Sequence, residues 1–504
     1  MSTSPQAIVI GAGLGGLSTA LSLAAKGWKV EIYEKNSFAG GKLSMRQSNG
    51  FHFDLGPSLL TMPHVFKRLF SECSRNIADY LEFIPVTPHW RLFFEDKNSF
   101  DLTSDMAELS RQLSRFSPTL PSQFFSFLSH AEKQRELIES SYFYSGAEKL
   151  GDILAQKKPT DIISIDFVRS MKQRIERYIS EPHLLNTLAY FCKYVGSSAL
   201  NSPGFLTMIA SIQFTYGVYH VKGGMYKIVE ALKKVAQELG VTIHYNAPVT
   251  GLWLDRSKSV SKGVILNDGE KKGSDIVLTN MDTLSFYTML KSNQGLKIGP
   301  VIKKMEKRFE PSCSGIVLHL GTSKRYPQLA HHNIFHSNDP DKQYRLIFDK
   351  HLLPDDPTLY VVAPLRSDPS LAANENDIIK VLPQIPYIND KNTYTKDDMV
   401  TLRTTVLEKL ERMGLDKLRD HITEEIVLSP WDIEERYGSY RGSIYGVVCD
   451  RWKNLAFKPS RKSHIIDGLY FTGGSVNPGS GMPMVILGAM ETAKLAGKEY
   501  GNRS

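Results

Sequence analysis

Gly11, Gly13 and Gly16 stand at G-x-G-x-x-G spacing, directly after an apolar run at residues 7–10 and directly before a helical pattern. That arrangement could hold a pyrophosphate. Gly11 permits a tight turn and Gly13 lets the backbone approach an anion. Gly16 lets helix and strand pack closely, and the helix N-terminus offers unpaired N–H groups. Leu14, Leu17, Leu21 and Ala24 recur at helical intervals, and Gly27 sits where a C-cap belongs. A second strand at residues 29–33 ends on Glu34, placed to accept hydrogen bonds from ribose hydroxyls. Residues 7–25 carry no charge, so a membrane span or signal peptide competes for this stretch. The four glycines inside it and the lack of a basic run before it exclude that reading.

The chain's end repeats the grammar. Residues 468–472 read as a strand, residues 473–482 as a loop dense in glycine, and Pro483 opens a helix running to Ala496, where its missing N–H costs nothing. A second strand, glycine loop and helix N-terminus suggest a second polar part of one cofactor. A flavin dinucleotide has both parts, a pyrophosphate for the first loop and a ribityl chain and ring for the last. A nicotinamide cofactor needs no closing element, so FAD is favoured. Gly40 and Gly41, close after Glu34, fit backbone drawn near the same cofactor, with Lys42 available to a phosphate. Residues 54–58 read as a rigid turn leaving a strand, able to hold a ring system at a domain junction or to serve simply as a turn. No Ser-His-Asp grouping, metal-spaced cluster or paired carboxylates are found. His331 and His332 are adjacent, and neighbours on a strand point to opposite faces, so no metal site is expected there.

These residues need elements to position them. With 504 residues the chain exceeds one comfortable core, and two or three domains are expected. The fold class is α/β: a discontinuous Rossmann-type FAD-binding domain at residues 1–75, 221–290 and 441–504, an α+β substrate domain at 291–440, and a helical, membrane-associated region at 76–220. In that region, helical patterns fall at residues 105–116, 121–144 and 162–178. Apolar segments beginning at Pro121 and Gly204 fit a core, and also fit an apolar tunnel or a face dipping into a bilayer. Residues 225–239 read as a helix and residues 241–245, 249–254 and 275–279 as strands, with a hairpin turning at Asp268-Gly269. Strands at 313–320, 359–363 and 378–382 with a helix at 399–413 suggest an antiparallel sheet with helices on one side.

The formal net charge is +8 and hydrophobic content is 41%. No nucleic-acid module is recognisable, so the basic balance, with local clusters at residues 303–308 and 451–462, points to an anionic membrane surface. Four cysteines without C-x-x-C pairing fit a reducing compartment and suggest neither zinc nor disulfides.

The chain resembles the FAD-dependent carotenoid desaturase and oxygenase family over nearly its whole length. The opening motif matches at Ile10-Gly-Ala-Gly-Leu-Gly-Gly16 with Glu34 and Gly40-Gly41. The closing motif matches at Leu469-Tyr-Phe-Thr-Gly-Gly-Ser-Val-Asn-Pro-Gly-Ser-Gly-Met-Pro483. Within the family, Phe53-Asp-Leu-Gly-Pro-Ser-Leu-Leu-Thr-Met-Pro63, Lys193-Tyr-Val-Gly-Ser-Ser198, the stretches 326–333 and 379–387, and Arg441-Gly-Ser-Ile-Tyr-Gly446 are most similar to the diapocarotenoid oxygenases. Sister desaturases tend to differ at the second of these, at Ile385-Pro-Tyr387 and at Gly474-Ser-Val-Asn477. Lys42 departs from the arginine common in this broader fold, and Gly474 and Ser475 replace the acid that amine-oxidase relatives carry near the ribityl chain.

The resemblance implies a cofactor-binding set of Ile10, Gly11, Ala12, Gly13, Leu14, Gly15, Gly16, Glu34, Lys35, Gly41, Lys42, Gly56, Pro57, Ser58, Val249, Gly473, Gly474, Gly481 and Met482. It places Tyr194, Arg441 and Tyr445 near the ring and assigns no catalytic residue. It implies oxidation of the terminal methyl groups of a C30 carotenoid to aldehydes with O2, in the cytoplasm at the inner face of the cell membrane. A dehydrosqualene-type desaturase and a non-catalytic isoprenoid carrier are the alternatives.

Overall fold

The computed structural model describes residues 4–255, 257, 259–372, 376–391 and 393–501. Its organising element is a five-stranded, all-parallel sheet in the order Leu469–Phe471, Ile276–Thr279, Gln6–Ile10, Lys29–Tyr33, Thr242–His244. Strands buried on both faces read as unbroken apolar runs, and the period of two then divides each run between two cores. Ala7 and Val9 face helices Leu14–Ala24, Lys227–Glu238 and Met482–Gly501 through Leu17, Leu21, Val229, Leu232 and Ile486. Ile8 and Ile10 face the other way, with Val277, Leu469 and Phe471. There they meet Leu252 and Val264 of a three-stranded antiparallel layer, Val249–Leu254, Ser261–Leu266 and Lys271–Gly273. The five strands come from the beginning, middle and end of the chain. Being parallel, they bring the segments after Ile10, Tyr33, Thr279 and Phe471 to one edge.

A second, eight-stranded sheet stands beside this unit. Its order is Ile422–Leu428, Val317–Thr322, Asp377–Ile385, Leu359–Val362, His332–Phe335, Trp90–Phe93, Ser99–Leu102, and Ser314–Gly315 also pairs with Asp377–Ile385. The pairings are antiparallel except that of His332–Phe335 with Trp90–Phe93. Helix Lys396–Arg412 lays Leu402, Val406, Leu407 and Leu410 on one face, against Leu318, Leu320, Val361 and Val381. It starts three residues earlier than its apolar pattern suggests, because Thr395 and Asp398 form a reciprocal capping box. The two strands from residues 90–102 are a departure from expectation: four-residue strands give too short an alternation to stand out inside a helical region.

The helices between residues 106 and 190 share one core with strand Trp90–Phe93 and with the helices on the parallel sheet. Met106–Ser114 begins on the Asp105 cap, and Leu120–Ile138 continues through a wider turn, Glu139–Phe143. Residues 162–178 are not one helix. They divide into the end of Pro159–Ser164 and Met171–Glu176, and the second piece starts on its own Ser170–Gln173 capping box. A capping box outcompetes helix propagation wherever its serine is held extended. Among the described residues, no helix is long and apolar enough to cross a membrane.

Candidate functional site: a glycine cradle between two sheets

At the end of strand Gln6–Ile10 the chain turns at Gly11, with φ +91°, and enters helix Leu14–Ala24. A Cβ on Gly16 would lie 2.0 Å from the Gly11 carbonyl oxygen, so only glycine lets this helix approach its own strand. Gly13 and Gly15 face the Asn280 side chain, and a Cβ on either would fall within 2.8 Å of it. Gly473, with φ +104°, closes the same space from the other side; a Cβ on Gly15 would sit 2.9 Å from its Cα. The two glycine loops, remote in sequence, therefore form facing walls of one cradle, and Asn280 lies between them. Its backbone N–H donates to Ile10 O and its Nδ2 to Thr472 O at 3.2 Å. Thr19 Oγ1 bonds Thr472 Oγ1 at 2.9 Å, fixing the closing loop to the first helix.

Glu34 is buried at the floor of the cradle. Its Oε2 accepts from Ala12 N–H at 2.7 Å and its Oε1 from Asn36 N–H at 2.9 Å. A carboxylate has lone pairs for about four hydrogen bonds, so both oxygens keep capacity for ribose hydroxyls. Gly40 donates to Ala12 O, and Gly41 packs on Gly13 so closely that its Cβ would sit 3.3 Å from Gly13 Cα. The glycine pair thus builds the cradle's outer wall.

Other expected residues take different positions. The Lys42 amine donates to the carbonyls of Ile444, at 2.8 Å, and Ser443, which makes it a strut between the opening segment and residues 443–446. Lys35 donates to the Glu435 carbonyl. Val249 begins the three-stranded layer, two residues after Ala247, whose N–H donates to Glu34 O. Gly56 packs on the Lys42 carbonyl, Pro57 is exposed, and Ser58 Oγ receives the Lys380 amine at 3.2 Å. Gly474 faces Gly446, Gly481 turns with φ +100°, and Met482 opens the last helix buried. Tyr445 packs against Gly196 and the Tyr194 hydroxyl donates to Gln213, whereas Arg441 turns out to Asp390.

Sequence reasoning passed over three residues here. Asn280 carried a signal, since it ends a parallel strand at the edge where ligands of such sheets lie. Lys380 did not, being one lysine in an apolar strand. Its buried amine holds the carbonyls of Asp54 and Gly56 as well as Ser58, and so ties the turn at residues 54–58 to the second sheet. Asn477 is a junction: its Oδ1 accepts from the Tyr142 hydroxyl and Lys458 N–H, while its Nδ2 donates to Glu148 Oε2 at 2.9 Å. His331 and His332 are both buried with rings 4.4 Å apart. His331 Nδ1 pairs with Ser367 and His332 Nδ1 with the Tyr360 hydroxyl, and among the described residues no group of ligating side chains could hold a metal.

Burial pushes the amines of Lys42 and Lys380 down to about 8, with Asp282 and Asp54 respectively opposing the shift. A lysine whose folded value lies below its unfolded one destabilises the fold while both states are charged. Stability is recovered as pH rises from about 8 towards the unfolded value near 10.4. The melting temperature is therefore expected to rise from pH 7.5 to 9.5 relative to Lys42→Met, whose pH slope should be flatter. Equal slopes in thermal melts would contradict the assignment.

The cradle fits a flavin dinucleotide on its own geometry. Helix Leu14–Ala24 has no side-chain cap and no acid in its first turn, leaving its N–H groups for an anion. The Oγ atoms of Ser443 and of Ser480 in the closing loop are buried without a partner among the described residues, as groups reserved for a ligand would be. Comparisons with known proteins agree. The chain is 46% identical over 481 residues to a 4,4'-diapolycopene oxygenase of Methylomonas sp, covering 95% of each chain. It is 41% identical over 487 residues to a 4,4'-diaponeurosporene oxygenase of Staphylococcus haemolyticus, covering 96% of each. The fold is similar to that of an oxidoreductase from Methanosarcina mazei, with TM-score 0.66 at 16% identity, covering 97% of this chain and all of the other. The flavin containing amine oxidoreductase family matches residues 14–496, and the chain belongs to it as an FAD-dependent oxidoreductase.

Proposed function

We propose that this protein oxidises the terminal methyl groups of a C30 carotenoid, 4,4'-diaponeurosporene or 4,4'-diapolycopene, to aldehydes, with O2 as the oxygen source. The observation that carries the reading is near-full-length identity of 46% and 41% to oxygenases named for those two polyenes. The bound flavin supplies a two-electron acceptor, and the protein's task is to hold the chain end and exclude water. The second sheet and the turn Phe191–Val195, followed by Gly196 packed on Tyr445 next to Gly446 at the closing loop, suit that task.

We further propose that the protein sits peripherally on the inner face of the cell membrane. Ile163, Val168 and Trp452 are 84%, 71% and 70% exposed, unusual for large apolar side chains. Val168 and residue 452 belong to one surface region, because Arg451 Nη1 donates to the Val168 carbonyl; Arg169 there is an exposed cation, while Lys453 pairs with Glu310. Exposed apolar side chains beside a cation suit an anionic bilayer that also dissolves the substrate.

The test is extraction of pigments from cells making a C30 polyene with and without this protein, with flotation of the purified protein on anionic liposomes. Oxygen-bearing chain ends and a floating protein are expected. Loss of hydrogen pairs without oxygen would make it a desaturase, unchanged pigment a carrier. A protein left wholly in the soluble fraction would contradict the membrane reading.

A further inference from the structure

Lys193 is buried in the short helical turn Phe191–Val195 and is surrounded by rings. Its Nζ lies 3.1 Å from the centroid of Tyr360, 4.4 Å from that of Trp90, and 5.5 and 5.6 Å from those of Tyr190 and Tyr194. No carboxylate or carbonyl among the described residues pairs with it. The polar ends of the cage point elsewhere: Trp90 Nε1 and the Tyr194 hydroxyl both donate to Gln213 Oε1, and the Tyr360 hydroxyl meets His332 Nδ1 at 3.0 Å. Two further polar atoms of the same cluster, the Tyr190 hydroxyl and His332 Nε2, are buried without a partner among the described residues.

A buried donor without an acceptor is costly, and more so when charged. Burial drives the Lys193 amine well below the ordinary lysine range, and the ring faces offset only part of that cost. A methionine would pack the same space without penalty. The amine is therefore a feature in need of a partner that none of the described residues supplies.

The turn that carries Lys193 reaches the closing loop through residues 445 and 446. Gly196, three residues after Lys193, packs against Tyr445 so tightly that a Cβ would lie 2.5 Å from its ring. A Cβ on the next residue, Gly446, would lie 2.9 Å from the Gly474 carbonyl of the closing loop. Aromatic walls suit a conjugated chain, but a hydrocarbon end offers the amine nothing. An end that already carries oxygen does.

We propose that Lys193 is the specificity-determining anchor for the oxygen-bearing end of the polyene, its amine donating a hydrogen bond to the hydroxyl or aldehyde oxygen on the terminal carbon. This rests on the carotenoid reading above, and it adds that the site prefers a chain end that already carries oxygen over a bare hydrocarbon end. Sites built to hydrogen-bond a substrate group discriminate strongly against analogues lacking it.

The test is binding, without turnover. Flavin-loaded wild type, Lys193→Met and Lys193→Gln on liposomes are titrated with 4,4'-diapolycopene and with its dialdehyde, reading quenching of tryptophan emission and the polyene absorption band. Wild type is expected to bind the dialdehyde at least about tenfold more tightly than the hydrocarbon and to shift its band to longer wavelength. Lys193→Met should lose the preference and the shift at unchanged flavin content, while Lys193→Gln, which keeps a donor, should retain part of the preference. A preference undiminished in both variants would overturn the proposal. Binding of neither polyene by wild type would instead overturn the carotenoid reading, and the anchor with it.

Discussion

Gly16→Ala is expected to yield a protein almost without colour. The new methyl would lie 2.0 Å from the Gly11 carbonyl oxygen and 3.2 Å from its carbon, and both are backbone atoms that no rotamer change can move aside. Helix Leu14–Ala24 must then retreat from its strand, carrying with it the N–H groups that face the pyrophosphate. The flavin-to-protein ratio, read from visible against ultraviolet absorbance, should fall at least about tenfold, equivalent to about 1.4 kcal/mol or more of binding. Gly497→Ala is the control: it also lies in a helix, Met482–Gly501, but nothing lies within 4 Å of its would-be Cβ. That variant should be as yellow as wild type. Full flavin occupancy in Gly16→Ala would remove the geometric basis of the cradle.

Lys380→Met is expected to give the largest loss of stability. The lysine is 7% exposed, and its amine serves three acceptors on the turn at residues 54–58. Methionine fills the volume but leaves those acceptors without their donor. It also removes the cation nearest Asp54, whose carboxylate accepts from Met225 N–H at 2.6 Å and Tyr226 N–H at 3.1 Å ahead of helix Lys227–Glu238. Breaking one partner of such a buried set costs about 3–5 kcal/mol. Asp54→Ala should cost less than that, and the double variant less than the sum, because each single change strands the other charge. Additive losses in denaturant titrations would show that the two groups act independently.

How much of this was legible beforehand follows from sequence distance. The first loop is contiguous, so strand, glycine spacing, helix and Glu34 could be read from about thirty residues together. The closing loop was equally local: the apolar run at residues 7–10 marked a buried parallel strand, and residues 275–279 and 468–472 also read as strands. What stayed hidden depends on contacts between remote segments. Asn280 is defined by facing Gly13 and Gly473, Lys380 by a turn more than 320 residues earlier. Lys42 was placed at a phosphate because its neighbours are glycines, yet its amine finds the carbonyls of Ser443 and Ile444, which no local pattern announces. Lys193 lay within a stretch quoted for its likeness to relatives, but the rings that cage it come from residues 90, 190, 194 and 360. The divided helix at residues 162–178 is a different kind of miss: its apolar periodicity ran on while Ser170 and Gln173 reset the backbone.

The central claim is that a flavin in this cradle drives insertion of oxygen at the end of a C30 polyene. It is tested most directly with purified, flavin-loaded protein on liposomes carrying 4,4'-diapolycopene under 18O2, the products read by mass spectrometry. The account predicts aldehyde ends carrying the heavy isotope, and none from the colourless Gly16→Ala protein. Polyenes that lose hydrogen without gaining label, or that return unchanged from a fully yellow enzyme, would contradict it.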